Sequence, residues 1–176
     1  MYENILNYDL YILDFLEPLR GGFMDGIMLF FSRLADKGFI WILLGAILLF
    51  FKKTRRAGLC VLAALLINAV VVNLCIKPLV SRIRPFDIKA GIELILLPPT
   101  DYSFPSGHTS ASFAVAMSVW FYNRKWGIFA LVVASLIGFS RLYLYVHYPT
   151  DVVCGVLFGV AAAKVAKILI YRPDGR

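Results

Sequence analysis

The chain has 176 residues, of which 60% are apolar and only 16% charged, and its mean hydropathy is +0.77. A soluble domain carries about half apolar and about a quarter charged residues, so a soluble globular protein is excluded, and so is a disordered chain. The net charge of +7 is spread over short breaks between apolar runs, the distribution of a membrane protein and not of a nucleic-acid binder.

The length accommodates one domain, residues 1–176, divided into an N-terminal interfacial region (1–37) and a helical core (38–171). The first twenty residues include Glu3, Asp9, Asp14 and Glu17, where a cleavable signal peptide has a basic head and an apolar stretch. Residues 5–16 mix apolar and acidic positions and predict an amphipathic helix lying at the membrane interface, ended by Gly21-Gly22. Residues 24–34 are apolar enough to extend the first span across the Asp36-Lys37-Gly38 break. That span, 38–51, would be about 21 Å of helix, short for a bilayer without help from its flanks.

Residues 57–76 form a second span without a charge. A third covers 109–122 and reaches back to Ser106, a fourth covers 127–146 with Arg141 inside it, and a fifth covers 151–171. Lys164 and Lys167 near the end of the last span can snorkel. The expected fold is all-α: a polytopic transmembrane helix bundle of about five spanning helices plus an N-terminal interfacial helix. Cys60, Cys75 and Cys154 all lie in apolar runs and read as buried core filling.

Charge sets the expected orientation. Lys52, Lys53, Arg55 and Arg56 form one loop, Arg124 and Lys125 another, and the tail from Lys164 carries four basic residues against Asp174. Alternating spans place these three regions on one side, which the positive-inside rule puts in the cytoplasm. The chain is therefore expected in the cytoplasmic membrane, with residues 1–37 and 77–106 and the Arg141–Asp151 stretch facing outward.

The polar residues that need explaining gather on that outward side. Lys77, Arg82 and Arg84 follow a span; Phe104-Pro105-Ser106-Gly107-His108 opens the next; Ser140 to Asp151 joins the last two. Ionisable groups at membrane depth are costly and mark function by default. Pro105-Ser106-Gly107 reads as a capped helix start whose free N–H groups suit an anion, and equally as an ordinary cap. His147 and Asp151, the latter at a helix entry, allow a carboxylate to fix the imidazole tautomer and leave one nitrogen free as a nucleophile. A cap plus an interfacial histidine is the plainer alternative. Lys77, Arg84 and Arg141 need an anion, and guanidinium groups suit phosphate. Arg82 and Lys89 read as headgroup contacts. Asp101 either tunes His108 or is a loop acid. A metal site of His108, His147 and Asp151 is conceivable, but three cations beside it would repel the ion.

Together these segments resemble the type 2 phosphatidic acid phosphatase superfamily of integral-membrane lipid phosphatases. The pattern is Lys77-x6-Arg84-Pro85, Pro105-Ser106-Gly107-His108 and Ser140-Arg141-x5-His147-x3-Asp151, with every position matched over residues 77–151. The resemblance implies a metal-independent enzyme without cofactor, acting on a membrane lipid phosphate. His147 would be the nucleophile forming a phosphohistidine, Asp151 its orienting partner and His108 the acid that protonates the leaving oxygen. Lys77, Arg84, Ser106, Gly107 and Arg141 would hold the phosphate. Vanadium haloperoxidases share these motifs on a soluble scaffold. The outward site and small size look like bacterial members acting on undecaprenyl pyrophosphate, phosphatidylglycerol phosphate or phosphatidic acid. Ser110, Ala111, Ser112, Ala114 and Ala116 suit either close helix packing or an acyl groove. Two other functions fit the composition: a lipid phosphotransferase, and a lipid transporter with a polar cavity. Against the transporter, no acid-lined path crosses the spans, and Asn68 and Asn73 are the only strongly polar side chains in 57–76.

Overall fold

A computed structural model describes residues 2–171, and among these there are helices and turns and no strand. Arg172, Asp174 and Arg176 of the cationic tail lie outside the described residues. Helix α1 (Tyr2–Leu16) is followed by a 3-10 turn and the Gly21-Gly22 break, both glycines having positive φ. Helix α2 (Gly22–Leu34) does not run into the next helix: Lys37 (φ 53°) and Gly38 (φ 68°) turn the backbone through the left-handed region. Residues 24–34 therefore stay outside the first span. Helix α3 (Phe39–Phe50) is 12 residues, about 18 Å, and gains nothing from either flank.

Helix α4 (Arg55–Asn68) continues through a π-helical stretch, Ala69–Ile76, into α5 (Lys77–Val80), and α6 (Pro85–Ile88) is one turn more. Then come α7 (Gly107–Tyr122), α8 (Arg124–Tyr143) and α9 (Pro149–Ile170). Among the described residues three helical stretches, Arg55–Ile88, Arg124–Tyr143 and Pro149–Ile170, are long and apolar enough to cross a membrane. Helices α3 and α7 are shorter than a bilayer core by themselves.

Local chemistry sets the helix starts. The Asn123 side chain accepts from the amides of Lys125 (3.0 Å) and Trp126 (3.2 Å), capping α8. Pro149 opens α9, and Asp151 Oδ2 reaches back to accept from the Tyr148 amide at 3.0 Å.

Helix α7 is the centre of the bundle, packed on α8 and α9. A Cβ on Gly155 of α9 would stand 2.9 Å from the Ser106 carbonyl oxygen, and one on Gly159 would stand 2.9 Å from the Ala114 amide nitrogen. Glycine at these two positions lets the backbones touch. Ser110 and Ala114 are buried at these contacts, Ala116 is buried against Ala130 and Ala134 of α8, Ser112 is buried where it accepts from Trp41 Nε1 at 3.2 Å, and Ala111 lines a cavity, so four of the five small residues serve packing. Leu66, Leu74, Phe129, Leu157 and Ile168 point outward, as lipid-facing residues do. Cys60 is buried as expected, but Cys75 is exposed and Cys154 half-buried, so the thiols are not all core filling.

The two cationic loops share one end: Tyr122 donates to the Lys53 carbonyl at 3.1 Å. The breaks at 35–38, 81–106 and 144–148 close the other end.

Candidate active site

Three breaks deliver the charged side chains to one cavity of about 300 Å³, lined by Lys77, Arg84, His108, Arg141 and His147, with Asp36, Asp101, Ser32 and Arg33 at its wall. Lys77 comes from the end of the π-helical stretch, Arg84 from the N-cap of α6, His108 from the first turn of α7 and Arg141 from the last turn of α8. His147 lies in the α8–α9 loop. Lys77, Arg84 and Arg141 are all at most 5% exposed. Such a group of buried cations is costly without an anion.

Arg84 Nη1 donates to the Val146 carbonyl (2.6 Å) and stands 3.3 Å from His147 Nε2. A guanidinium only donates, so Nε2 carries a lone pair and the imidazole proton sits on Nδ1. Nδ1 lies 3.4 Å from Asp151 Oδ2 and 3.4 Å from Ser103 Oγ. Asp151 is fully buried, and its Oδ2 also accepts from Ser103 Oγ at 2.5 Å. Burial, reinforced by the charges of Arg84, Arg141 and Lys77, holds the His147 imidazole well below the ordinary histidine range. His147 is therefore neutral near pH 7, with its lone pair among the cations.

His108 Nε2 is 2.8 Å from Asp36 Oδ1. The hydrogen bond to His108 is the main reason Asp36 titrates below an ordinary carboxylate. Asp101 does not tune His108. Its carboxylate pairs with Lys77 and, at 2.7 Å, with Arg84 Nη2. Burial opposes its ionisation, but the hydrogen bond and charge of Lys77 and the charge of Arg84 outweigh it and hold the carboxyl at about 2.

Arg82 is not a headgroup contact. Its side chain is only 9% exposed, donates to Asp151 Oδ1 (2.7 Å), Thr150 Oγ1 (2.7 Å) and Asp9 Oδ2 (2.7 Å), and stacks on the Tyr148 ring at 3.8 Å. Lys89 is likewise drawn into the protein, pairing with Asp14 at 2.6 Å and Glu17 at 3.4 Å. Ser106 lines neither cavity described here. Its hydroxyl accepts from Thr109 Oγ1 at 2.9 Å, and its amide donates to the Asp151 carbonyl at 3.1 Å, so the amide is committed within the protein while the hydroxyl keeps its own proton to donate. Gly107 faces a second cavity, which shares Lys77, Asp101 and His108 with the first. Among the described residues no group of three or more His, Cys, Asp or Glu side chains is placed to hold a metal ion.

Sequence reasoning missed Asp36, Ser103, Asp9 and the true role of Arg82. Asp9 is 2% exposed, and its Oδ1 accepts from the Thr150 amide at 3.0 Å, locking α1 to the start of α9. The one available signal was the recurrence of acids, Glu3, Asp9 and Asp14, along a largely apolar N-terminal helix.

Residues 57–173 match the PAP2 superfamily, and the chain belongs to that family of membrane phosphatases. An undecaprenyl-diphosphatase of Sulfolobus acidocaldarius is 35% identical over 137 residues, covering 77% of this chain and 66% of the relative. The match thus spans just under two thirds of that relative's length. The undecaprenyl-diphosphatase BcrC of Bacillus subtilis is 31% identical over 153 residues, 85% of this chain and 74% of the relative. In fold, the chain matches the crystal structure of a PAP2 type phosphatidylglycerolphosphate phosphatase from Bacillus subtilis. The TM-score is 0.80 at 23% identity, over 97% of this chain and 88% of the other.

Proposed function

We propose that this chain is an integral-membrane lipid phosphatase that hydrolyses a phosphate monoester or pyrophosphate at the extracytoplasmic face through a phosphohistidine on His147. The observation that carries this reading is the His147 Nε2 lone pair, held by Arg84 among three buried cations, with Asp151 behind the other nitrogen. The names of the relatives support the same class of substrate.

The substrate phosphoryl group replaces Asp101 as the anion on Lys77 and Arg84, with Arg141 completing the cradle. Phosphoryl transfer rests on positioning and charge stabilisation, which three fixed cations supply. His147 Nε2 attacks phosphorus, an N–P bond forms and the bond to the leaving oxygen breaks. His108 gives that oxygen its proton. Asp151 accepts the Nδ1–H bond, which shortens as the ring becomes cationic. Water, deprotonated by His108, then attacks phosphorus, the N–P bond breaks and phosphate leaves.

The test is phosphate release by purified protein in detergent with excess EDTA, on undecaprenyl pyrophosphate, phosphatidylglycerol phosphate and phosphatidic acid. EDTA-resistant, orthovanadate-sensitive release is expected, and His147→Ala should lower it by at least about 10³-fold, as for loss of a covalent nucleophile. A fully active His147→Ala protein sinks the nucleophile assignment. Release abolished by EDTA sinks the metal-independent mechanism.

A further inference from the structure

Asp101 puts a carboxylate where the reading above puts a phosphate. Its Oδ2 pairs with Lys77 Nζ, and its Oδ1 accepts from Arg84 Nη2 at 2.7 Å. The side chains of Lys77 and Arg84 are 7% and 4% exposed, but that of Asp101 is 56% exposed. Two cations are thus fixed in the cavity wall, and the anion on them reaches in from the surface. Asp101 is carried by the irregular stretch between α6 and α7. Burial opposes its ionisation, but Lys77 and Arg84 outweigh it and hold the carboxyl at about 2, so the residue is an anion throughout the neutral range.

Arg84 does not depend on that carboxylate for its place. Its Nε donates to the Asp101 backbone carbonyl at 2.8 Å, and its Nη1 donates to the Val146 carbonyl at 2.6 Å. When the carboxylate swings out, the guanidinium stays where it is and Nη2 is released for another anion. The carboxylate also leaves the third cation uncovered. Arg141 is 2% exposed, its Nη1 donates to Ser32 Oγ, and its Nε has no hydrogen-bond partner. A carboxylate has two oxygens, and both are spent on Lys77 and Arg84. A phosphoryl group brings a third oxygen for Arg141 and a larger charge, so it can take the cradle from the carboxylate.

We propose that Asp101 is a resident anion of the phosphate cradle: it occupies Lys77 and Arg84 in the empty site, yields to the substrate phosphoryl group, and returns to expel the product phosphate. This rests on the phosphatase reading above and adds to it the release of product. Three buried cations that hold a transferring phosphoryl group would also hold free phosphate and stall turnover. A competitor tethered beside them acts at a roughly millimolar effective concentration. It weakens every anion by the same factor, the fraction of time for which it leaves the cradle open. Asp101 makes and breaks no covalent bond in this role.

Asp101→Asn keeps the size of the side chain and removes its charge. Phosphate and orthovanadate should then bind at least about tenfold more tightly, the worth of one charged hydrogen bond, as read by calorimetric titration of the purified protein in detergent. Phosphate should also raise the melting temperature of this variant more than that of the wild type, a reading confined to folded protein. KM for phosphatidic acid should fall with the binding constants, and kcat should not rise, because product leaves more slowly. Asp101→Glu keeps the charge and should bind phosphate much as the wild type does. Weaker or unchanged phosphate binding in Asp101→Asn overturns the proposal, because a residue that only positions Lys77 and Arg84 loosens the cradle when it is lost. Calorimetry needs no turnover. Tightened binding by a protein that releases phosphate from none of the lipids named above sinks the phosphatase reading and leaves Asp101 as the resident anion of a phosphate-binding site.

Discussion

Asp36 is the residue whose neighbour decides its meaning. Its Oδ1 stands 2.8 Å from His108 Nε2, so an imidazolium at His108 holds Asp36 with one N–H and has the other for the leaving oxygen. Asp36 is on that account a positioning residue, and no motif marks it. Asp36→Asn keeps the size and loses the charge. The expected result is a fall in kcat of about tenfold, part of the roughly 10²–10⁴-fold that general acid catalysis supplies, with KM changed less than about twofold. The discriminating substrate is p-nitrophenyl phosphate, whose leaving group needs no proton. Its rate should be spared, and an equal fall on both substrates would mean that Asp36 only supports the fold. The contrast with the motif residues is physical. Lys77, Arg84, His108, Arg141, His147 and Asp151 were legible because ionisable groups beside apolar spans are costly and are kept there chiefly for function. Asp36, Ser103 and Asp9 were not, because each looks like an ordinary loop or interface residue until its partner, 44 to 141 positions away, is brought to it.

At the scale of elements, the site is held together where α9 crosses α7. The Ser106 amide bonds to the Asp151 carbonyl at 3.1 Å, so the segment carrying His108 and the helix start carrying Asp151 are tied directly. Gly155 makes that approach possible, since a Cβ there would meet the Ser106 carbonyl oxygen at 2.9 Å and the Thr109 Cβ at 3.1 Å. The first of these is backbone and cannot rotate away. Gly155→Ala is expected to cost about 1–3 kcal/mol of stability as overpacking and to lower kcat, because the helices part where the two motifs meet. Thermal unfolding in detergent and phosphate release read the two effects. Leu157→Ala, on the outward face of the same helix at 64% exposure, is the control and should change neither much. An alanine at 155 with wild-type melting and turnover would show that the crossing is slack. Three of the five expected spans correspond to helical stretches long and apolar enough to cross a membrane, and the Asp36-Lys37-Gly38 break was visible in the sequence, but not that it turns the chain instead of letting the first span extend across it. Residues 24–34 are as apolar as a membrane helix, and only the left-handed Lys37 and Gly38 separate them from the next helix.

For the whole molecule, the question is which end faces the cytoplasm. The loops holding Lys52, Lys53, Arg124 and Lys125 lie together, as the bond from Tyr122 to the Lys53 carbonyl shows, and the cavity with its histidines opens at the other end. The positive-inside rule supports the proposed outward placement of the cavity, because it weighs Lys and Arg in short loops beside the spans and gives acids little weight. The rule carries a complication in this chain. The catalytic end also bears Lys77, Arg82, Arg84, Lys89 and Arg141, but these pair with Asp101, Asp9, Asp151, Asp14, Glu17 and Ser32 and are mostly buried. The cationic loops at the opposite end remain the exposed positive charge. Single cysteines test the outcome after Cys60, Cys75 and Cys154 are replaced by alanine. Leu97, 89% exposed beside the cavity, and Lys53, in the opposite loop, are the positions to change. A membrane-impermeant maleimide on intact cells should label Leu97→Cys and reach Lys53→Cys only after permeabilisation. The reverse pattern would put the phosphatase site in the cytoplasm, and the substrate would then have to be a lipid phosphate of the inner leaflet.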